Sequence, residues 1–523
     1  MMRPLLAILL TLFSTASGVA QSFTRDWRPE DRTIIGDYRT VNAVATSMDR
    51  VFIVSSSGVL IWNPQFQRWE GAVDPPDPAL LARVFAGLTD PLDNSLWLAR
   101  SDGWVHYQPD IQLWEQGQVA EGLQTIAFDQ DDPGGGVYLR TRRGWELLPR
   151  GGTISSPANP PARPIAPSSV AEALRSNPGL QANAAAILTD NRLRSVRYTA
   201  AARSADNRGW YLGTSGAGAL YLPDGGALPQ RLSFGLPSPR AGAVFSWPGG
   251  VWVATDRTAS SDAALTFVSN NLDQFSSLPG TSAVGTPFSQ VRELAGQGRA
   301  VWAATDFGVA RVEPADSTLE VVDERRGLPD SRVYSIVSRG GRIVVGTAHG
   351  VARVGDSLTV ERVAPGYNDA VYTVFPAGDT VWAGTPSGLL LALPESRDLV
   401  RPAGMSSPSL HAGVIDLAPL ADTLVALTRD EMLWRNPRSR QWTLGPNLSS
   451  LLGRLRRFVA DGPGFWVAGD RGVGYARLGT PPLRPLRAGD LPAAANDLAV
   501  DEDYLWVATN AGLVRFRLSA IRP

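Results

Sequence analysis

One twelve-residue pattern returns along the whole chain, and it limits the possible folds more than any other feature. It reads VFIVSSSGVLIW from Val51, LWLARSDGWVHY from Leu96, VWAATDFGVARV from Val301, IVVGTAHGVARV from Ile343, VWAGTPSGLLLA from Val381 and LWVATNAGLVRF from Leu505. Aligned on its second residue, it occurs eleven times, at Phe52, Trp97, Tyr138, Tyr211, Trp252, Trp302, Val344, Trp382, Val425, Trp466 and Trp506. Neighbouring copies lie 38 to 50 residues apart, apart from one gap of 73. That period suits a four-stranded propeller blade. Helical repeats of similar length do not fit, because the pattern alternates with period two, is rich in Val, Trp and Thr, and is closed by Gly.

Each part of the repeat has a physical role in such a blade. Two residues after the aromatic position stands a small residue, as at Ala99, Gly213, Ala254, Ala304, Gly346, Gly384, Ala468 and Ala508. Both positions share one face of a strand, so a large ring beside a small side chain lets neighbouring sheets approach. The recurrent Gly, at Gly308, Gly350 or Gly512 for example, suits a positive φ in a tight hairpin turn. An alternating inner strand comes before the hairpin, often introduced by Gly-Leu-Pro as at Gly327 to Pro329, and an outer strand follows it. The expected fold is all-β: a β-propeller of about eleven four-stranded blades, arranged as two rings or as one large ring.

These residues resemble the two-component regulator propeller repeat, most clearly at Gly327 to Val354 and Leu505 to Phe516. The resemblance implies a propeller that binds something outside the cytoplasm. Sensor-kinase activity is not implied, since the kinase, the membrane helix and the Ig-like domain of that family are missing. A vaguer similarity is to exported propeller subunits of bacterial surface-secretion machinery.

Residues 1–20 read as a signal peptide, with Arg3, an apolar Leu5 to Phe13 and a small-x-small site at Gly18-Val19-Ala20. Export to the periplasm or beyond is expected, with no integral membrane segment after cleavage. The chain has no Cys, hence no disulfide and no lipobox acceptor, and no Lys, which excludes Schiff-base chemistry. A net charge of −1 gives no electrostatic reason to expect nucleic acid.

The expected division is ring A from 21–150, a Pro/Ala-rich and helical insertion at 151–195, ring B at 196–410, and the closing part of ring A at 411–523; tandem rings 21–285 and 286–523 are the alternative. Within the insertion, Ser155 to Ser168 reads as an extended loop, Ser169 to Glu172 as a capping box opening a short helix, and Gln181 to Leu188 as a further helical turn. The last blade lacks an outer strand, and Ser22 to Trp27 is expected to supply it beside Leu513 to Leu518.

Chemistry is sparse. The three histidines, His106, His349 and His411, have no sequence partners that mark a metal or catalytic site. Asp129, Asp131 and Asp132, like Asp501, Glu502 and Asp503, fall in hairpin turns without the spacing of a calcium loop. The repeated tryptophans read as core rather than as sugar platforms. No cofactor or metal is expected. Turns between second and third strands open on one face of a propeller, which makes Arg143, Arg257, Asp306, Phe307, His349 and Arg471 the candidate ligand-binding residues. A non-enzymatic binding or scaffold propeller with a glycan or protein partner is favoured; the alternative is a propeller hydrolase or lyase acting on a polysaccharide.

Overall fold

The computed structural model describes residues 27–189, 194–226, 228–258, 261–279, 290–403 and 411–522. The expected signal peptide and Ser22 to Asp26 lie outside the described residues. Strands make up 51% of the structure and helices 7%, so the molecule is all-β as the repeat dictates. Among the described residues no helix is long and apolar enough to cross a membrane.

The described strands form eleven antiparallel sheets, most of them four-stranded meanders. In chain order they are sheet A (43–73), B (84–118), C (123–158), D (198–232), E (241–279), F (293–322), G (333–363), H (373–392), I (414–444), J (455–487) and K (495–517). Sheet K takes its fourth strand from far away: Arg32–Ile35 pairs antiparallel with Gly512–Arg517, Ile35 opposite Leu513 and Arg32 opposite Phe516. The closing strand is therefore 32–35, a β-branched Arg-Thr-Ile-Ile run that suits a half-buried strand. Trp27 instead stands edge-on to Phe516, ring centroids 5.5 Å apart. The carboxylate of Asp74 accepts the Ile34 N–H at 2.9 Å and so ties the closing strand to the end of sheet A. Burial pushes Asp74 up to about 7.

Inner strands, the first of each sheet, pack against one another in a definite order. That of sheet A lies between those of B and D, and C follows B. Sheets E, F, G, H, I, J and K follow in sequence, and the inner strand of K packs back against that of E. Small residues make this approach possible. A Cβ on Gly346 of sheet G would come within 2.7 Å of the Val371 carbonyl oxygen, on the segment leading into sheet H. The hairpin Gly512 has φ +124°, and a Cβ there would meet the Ile35 carbonyl oxygen of the closing strand at 2.5 Å, so both conformation and contact require glycine. The repeated indoles fill the spaces between sheets: Trp302, Trp466 and Trp506 are all buried.

The insertion departs in part from the expected loop. Ser156–Ala158 adds a strand to the outer edge of sheet C, and Pro164–Ile165 pairs with the inner strand of the same sheet. Three short helices follow, α1 (Val170–Ser176), α2 (Pro178–Ala182) and α3 (Ala184–Ile187). Ser169 caps α1, its side chain accepting the Glu172 N–H at 3.1 Å. Ala173 and Leu180 bury themselves against Ala201, Trp210 and Leu212 of sheet D. Ser169→Ala should cost about 1 kcal/mol, a typical cap contribution, read as faster amide exchange over 170–176; unchanged exchange would show that packing alone holds α1.

Candidate functional site

The inner strands of sheets E to K share one register. The residue opposite the small position of the second strand is, in order, Ala243, Glu293, Ser335, Thr373, Asp416, Arg457 and Asp497. Three of these converge around the guanidinium of a fourth, Arg457. Arg457 lies 3.9 Å from a carboxylate oxygen of Glu293, 3.9 Å from Asp416 and 3.6 Å from Asp497. It also donates to the Arg292 carbonyl at 2.7 Å. Above this girdle lies a cavity of about 500 Å³ lined by the inner strands of all seven sheets.

The carboxylates also join sheet to sheet. Glu293 accepts the Ile336 N–H of sheet G at 2.9 Å, Asp416 that of Phe458 in sheet J at 3.0 Å, and Asp497 that of Val244 in sheet E at 2.9 Å. Thr373 does the same with its hydroxyl, accepting from Leu417 at 3.1 Å. Each bond fills a backbone donor that the inner edge of a sheet would otherwise leave unpaired. Desolvation raises all three acids, Glu293 to about 7, Asp497 to about 6 and Asp416 in the same direction, while Arg457 opposes the shift. Burial disfavours the Arg457 cation, but Glu293, Asp497 and Asp416 outweigh it and hold the guanidinium charged.

The cavity is lined by the girdle and by later residues of the inner strands; one residue before the girdle, a different set of side chains stands outside that lining. Arg292 stacks over the Tyr334 ring at 4.9 Å, and Tyr334 meets the Tyr372 ring at 5.6 Å in a T-shaped contact. Arg456 pairs with Asp470 at 2.8 Å and Asn496 donates to Asn510 at 3.0 Å. The result is an arginine and tyrosine rim over an acidic, arginine-locked layer. Planar guanidinium groups and aromatic faces of this kind can hold carboxylate, phosphate, hydroxyl or peptide groups.

The turn residues expected from the sequence fall around this rim and beyond it. Asp306 is ion-paired with Arg292, and exposed Phe307 is beside it on sheet F. His349 Nδ1 lies 2.5 Å from Asp330 on sheet G. Burial pushes Asp330 up, yet hydrogen bonds from the Arg332 N–H and from His349 leave it below the usual carboxylate range. Arg471 of sheet J donates to the Ser450 carbonyl at 3.4 Å, and Arg257 is exposed at the end of the second strand of sheet E. Arg143 is apart from these on sheet C, paired with Glu121 at 2.6 Å. The turn reading missed Arg292, Tyr334, Tyr372 and Arg456. An alignment of inner strands rather than second strands shows them.

Two other groups carry chemistry-bearing residues. His106 bridges Ser95 Oγ and Glu115, both at 2.9 Å, in the order of a serine–histidine–acid relay. Ser95 is 1% and His106 6% exposed, and the imidazole stacks on Trp97 at 4.2 Å, so the serine and histidine are sealed in the core while Glu115 stands at the surface. The Asp129 carboxylate accepts the N–H groups of Asp131, Ala162 and Arg163 and anchors the insertion, which holds it below the usual range. Asp501 accepts the Trp506 indole N–H at 2.7 Å and the N–H groups of its own turn.

No family model matches the chain, and no curated protein matches it. Among solved structures, the chain is similar to PorZ, a surface component of the type-IX secretion system of Porphyromonas gingivalis, at 11% identity over 91% of this chain and 69% of that one, with a TM-score of 0.46. It is similar also to the extracellular domain of a hybrid two component system from B. thetaiotaomicron, at 11% identity over 93% of this chain and 73% of that one, with a TM-score of 0.44. Likeness of this degree carries no functional weight.

Proposed function

We propose that the protein is an exported, non-enzymatic binding propeller. Sheets E to K form one seven-bladed ring closed by Arg32–Ile35, and sheets A to D form a four-bladed arc inserted after the closing strand. The packing of K against E and the cavity shared by seven inner strands support this grouping. It differs from ring boundaries at 150 and 410, and from tandem rings meeting at 285. The insertion, with α1 against sheet D, covers a face that the arc leaves without a neighbouring sheet.

The observation that carries the binding reading is the rim of Arg292, Tyr334, Tyr372 and Arg456 standing over a layer whose charged groups are already committed to one another. A layer with its charges paired beneath an accessible aromatic and cationic rim suits recognition, because little ordering is needed on binding. Arg257, Asp306, Phe307, His349 and Arg471 extend the surface outward. The partner is a ligand or protein surface bearing acidic or hydroxyl groups.

Tyr372→Ala and Arg456→Ala, each at a partly exposed side chain, should abolish co-purification of the partner from the native envelope while melting temperatures stay within about 1–2 °C of the parent protein. Undiminished capture by both variants would overturn the assignment of this rim.

A further inference from the structure

A second cavity, of about 510 Å³, opens between sheets A and D at the end opposite the second-to-third-strand turns. We propose that it is a saccharide-binding site, independent of the rim described above. Its walls include three aromatic side chains, Trp62 of sheet A and Tyr211 and Tyr221 of sheet D, and its edge carries Gln65, Gln230 and Arg208. Sugar rings present an apolar C–H face and a periphery of hydroxyls. Aromatic faces suit the first, and amide and guanidinium groups the second. The volume falls in the range of about 300–1,000 Å³ typical of small-molecule sites.

Both walls are held in place before any ligand arrives. Tyr211 and Tyr221 rings lie 4.7 Å apart, and Trp62 rests edge-on against Trp69 at 5.0 Å. On the sheet D side, the turn that presents Asp206 and Arg208 is fixed by Ser204 Oγ, which accepts the N–H groups of Arg208 and Gly209 at 3.0 and 2.9 Å. Arg203 reinforces it, donating to both carboxylate oxygens of Asp224 at 2.7 and 2.6 Å and to the Asn207 carbonyl at 2.5 Å. On the sheet A side, Asn63 accepts the N–H groups of Gln65 and Phe66 at 3.0 and 3.1 Å, and Gln65 donates to the Met48 carbonyl at 3.2 Å. The Arg208 side chain is 84% exposed, so it is available to a ligand and contributes little to folding.

The whole protein is titrated with maltotriose, cellotriose, chitotriose and digalacturonate, followed by tryptophan fluorescence and calorimetry. At least one should bind saturably at micromolar to millimolar concentration. Trp62→Ala should weaken that binding by about ten-fold or more, and Trp62→Phe should restore most of it. Gln65→Ala and Gln230→Ala, both at exposed positions, should weaken it without altering the melting temperature, and they decide the matter if Trp62→Ala fails to fold. Selective loss of digalacturonate binding in Arg208→Ala would mark an acidic sugar as the ligand; an equal effect on all sugars would mark a neutral one. Tyr372→Ala should leave saccharide binding intact, which separates this site from the rim. No binding by any of the four at millimolar concentration, or binding indifferent to every variant, overturns the proposal.

Discussion

Arg457→Leu is expected to destabilise the protein by about 3–5 kcal/mol at neutral pH, the usual consequence of stripping one partner from a buried charge cluster. Glu293, Asp416 and Asp497 would then face each other across the cavity without a cation. The pH dependence distinguishes this from simple loss of packing. In the parent protein, burial raises Glu293 from 4.5 to about 7 and Asp497 from 3.8 to about 6. The folded state thus retains protons that the unfolded chain has released. By linkage their contribution to stability is greatest below the unfolded pKa values and falls as pH rises from about 4 to about 7. Without Arg457 both groups rise further, so the penalty of the variant should shrink between pH 8 and pH 5. Glu293→Gln should flatten the pH profile of the parent protein. Denaturant melts across this range provide the check, and an equal penalty for Arg457→Leu at both ends would remove the electrostatic account.

The second large effect is expected for Trp506→Ala, about 3–5 kcal/mol for an indole removed from a packed core. Trp506 packs with Ile35, Val244 and Val251, at the contact of sheet K, the closing strand and sheet E. Its N–H satisfies Asp501, and the Arg515 guanidinium lies 5.7 Å from its ring centroid. Truncation would open a void where three segments distant in sequence meet. Arg471→Ala, at an exposed turn, should by contrast shift stability by no more than about 0.5 kcal/mol. Thermal unfolding of both variants tests the assignment; a Trp506→Ala protein that melts with the parent would refute it.

Features carried by local pattern were legible in the sequence. Period-two alternation, the ring beside a small residue and the turn glycine gave sheets of the right kind at the right places, because each depends on contacts within a hairpin or with the next sheet. The capping signal at Ser169 located α1 for the same reason. Features set by distant pairing were legible only in outline: an N-terminal segment does complete the last sheet, but not the segment expected. Ser22 to Trp27 looked like a closing strand because outer strands often end in Trp, but Trp27 is used as a side-chain contact and Arg32–Ile35 as the strand. Nothing local decides which sheet packs against K, since all repeats offer similar faces. The girdle escaped notice because its members, Glu293, Thr373, Asp416, Arg457 and Asp497, differ in chemistry while sharing a position. His106 and Glu115 could have been found, as they face each other on neighbouring strands of one meander.

The closing strand also sets an order of events. Ile35 pairs with Leu513, a sequence separation of 513 − 35 = 478 residues. Contacts so remote form late, because the intervening loop must be closed before they return any free energy. During synthesis from the N-terminus, Arg32–Ile35 emerges well before Gly512–Arg517 and waits for it. Until then the last sheet has an open edge able to pair with another chain. Synthesis therefore imposes an interval in which the protein is vulnerable to aggregation, and the interval lengthens with the time taken to make the intervening chain rather than with the folding rate of any single sheet. A factor that shields an unpaired strand edge would act on this protein in that interval and not afterwards.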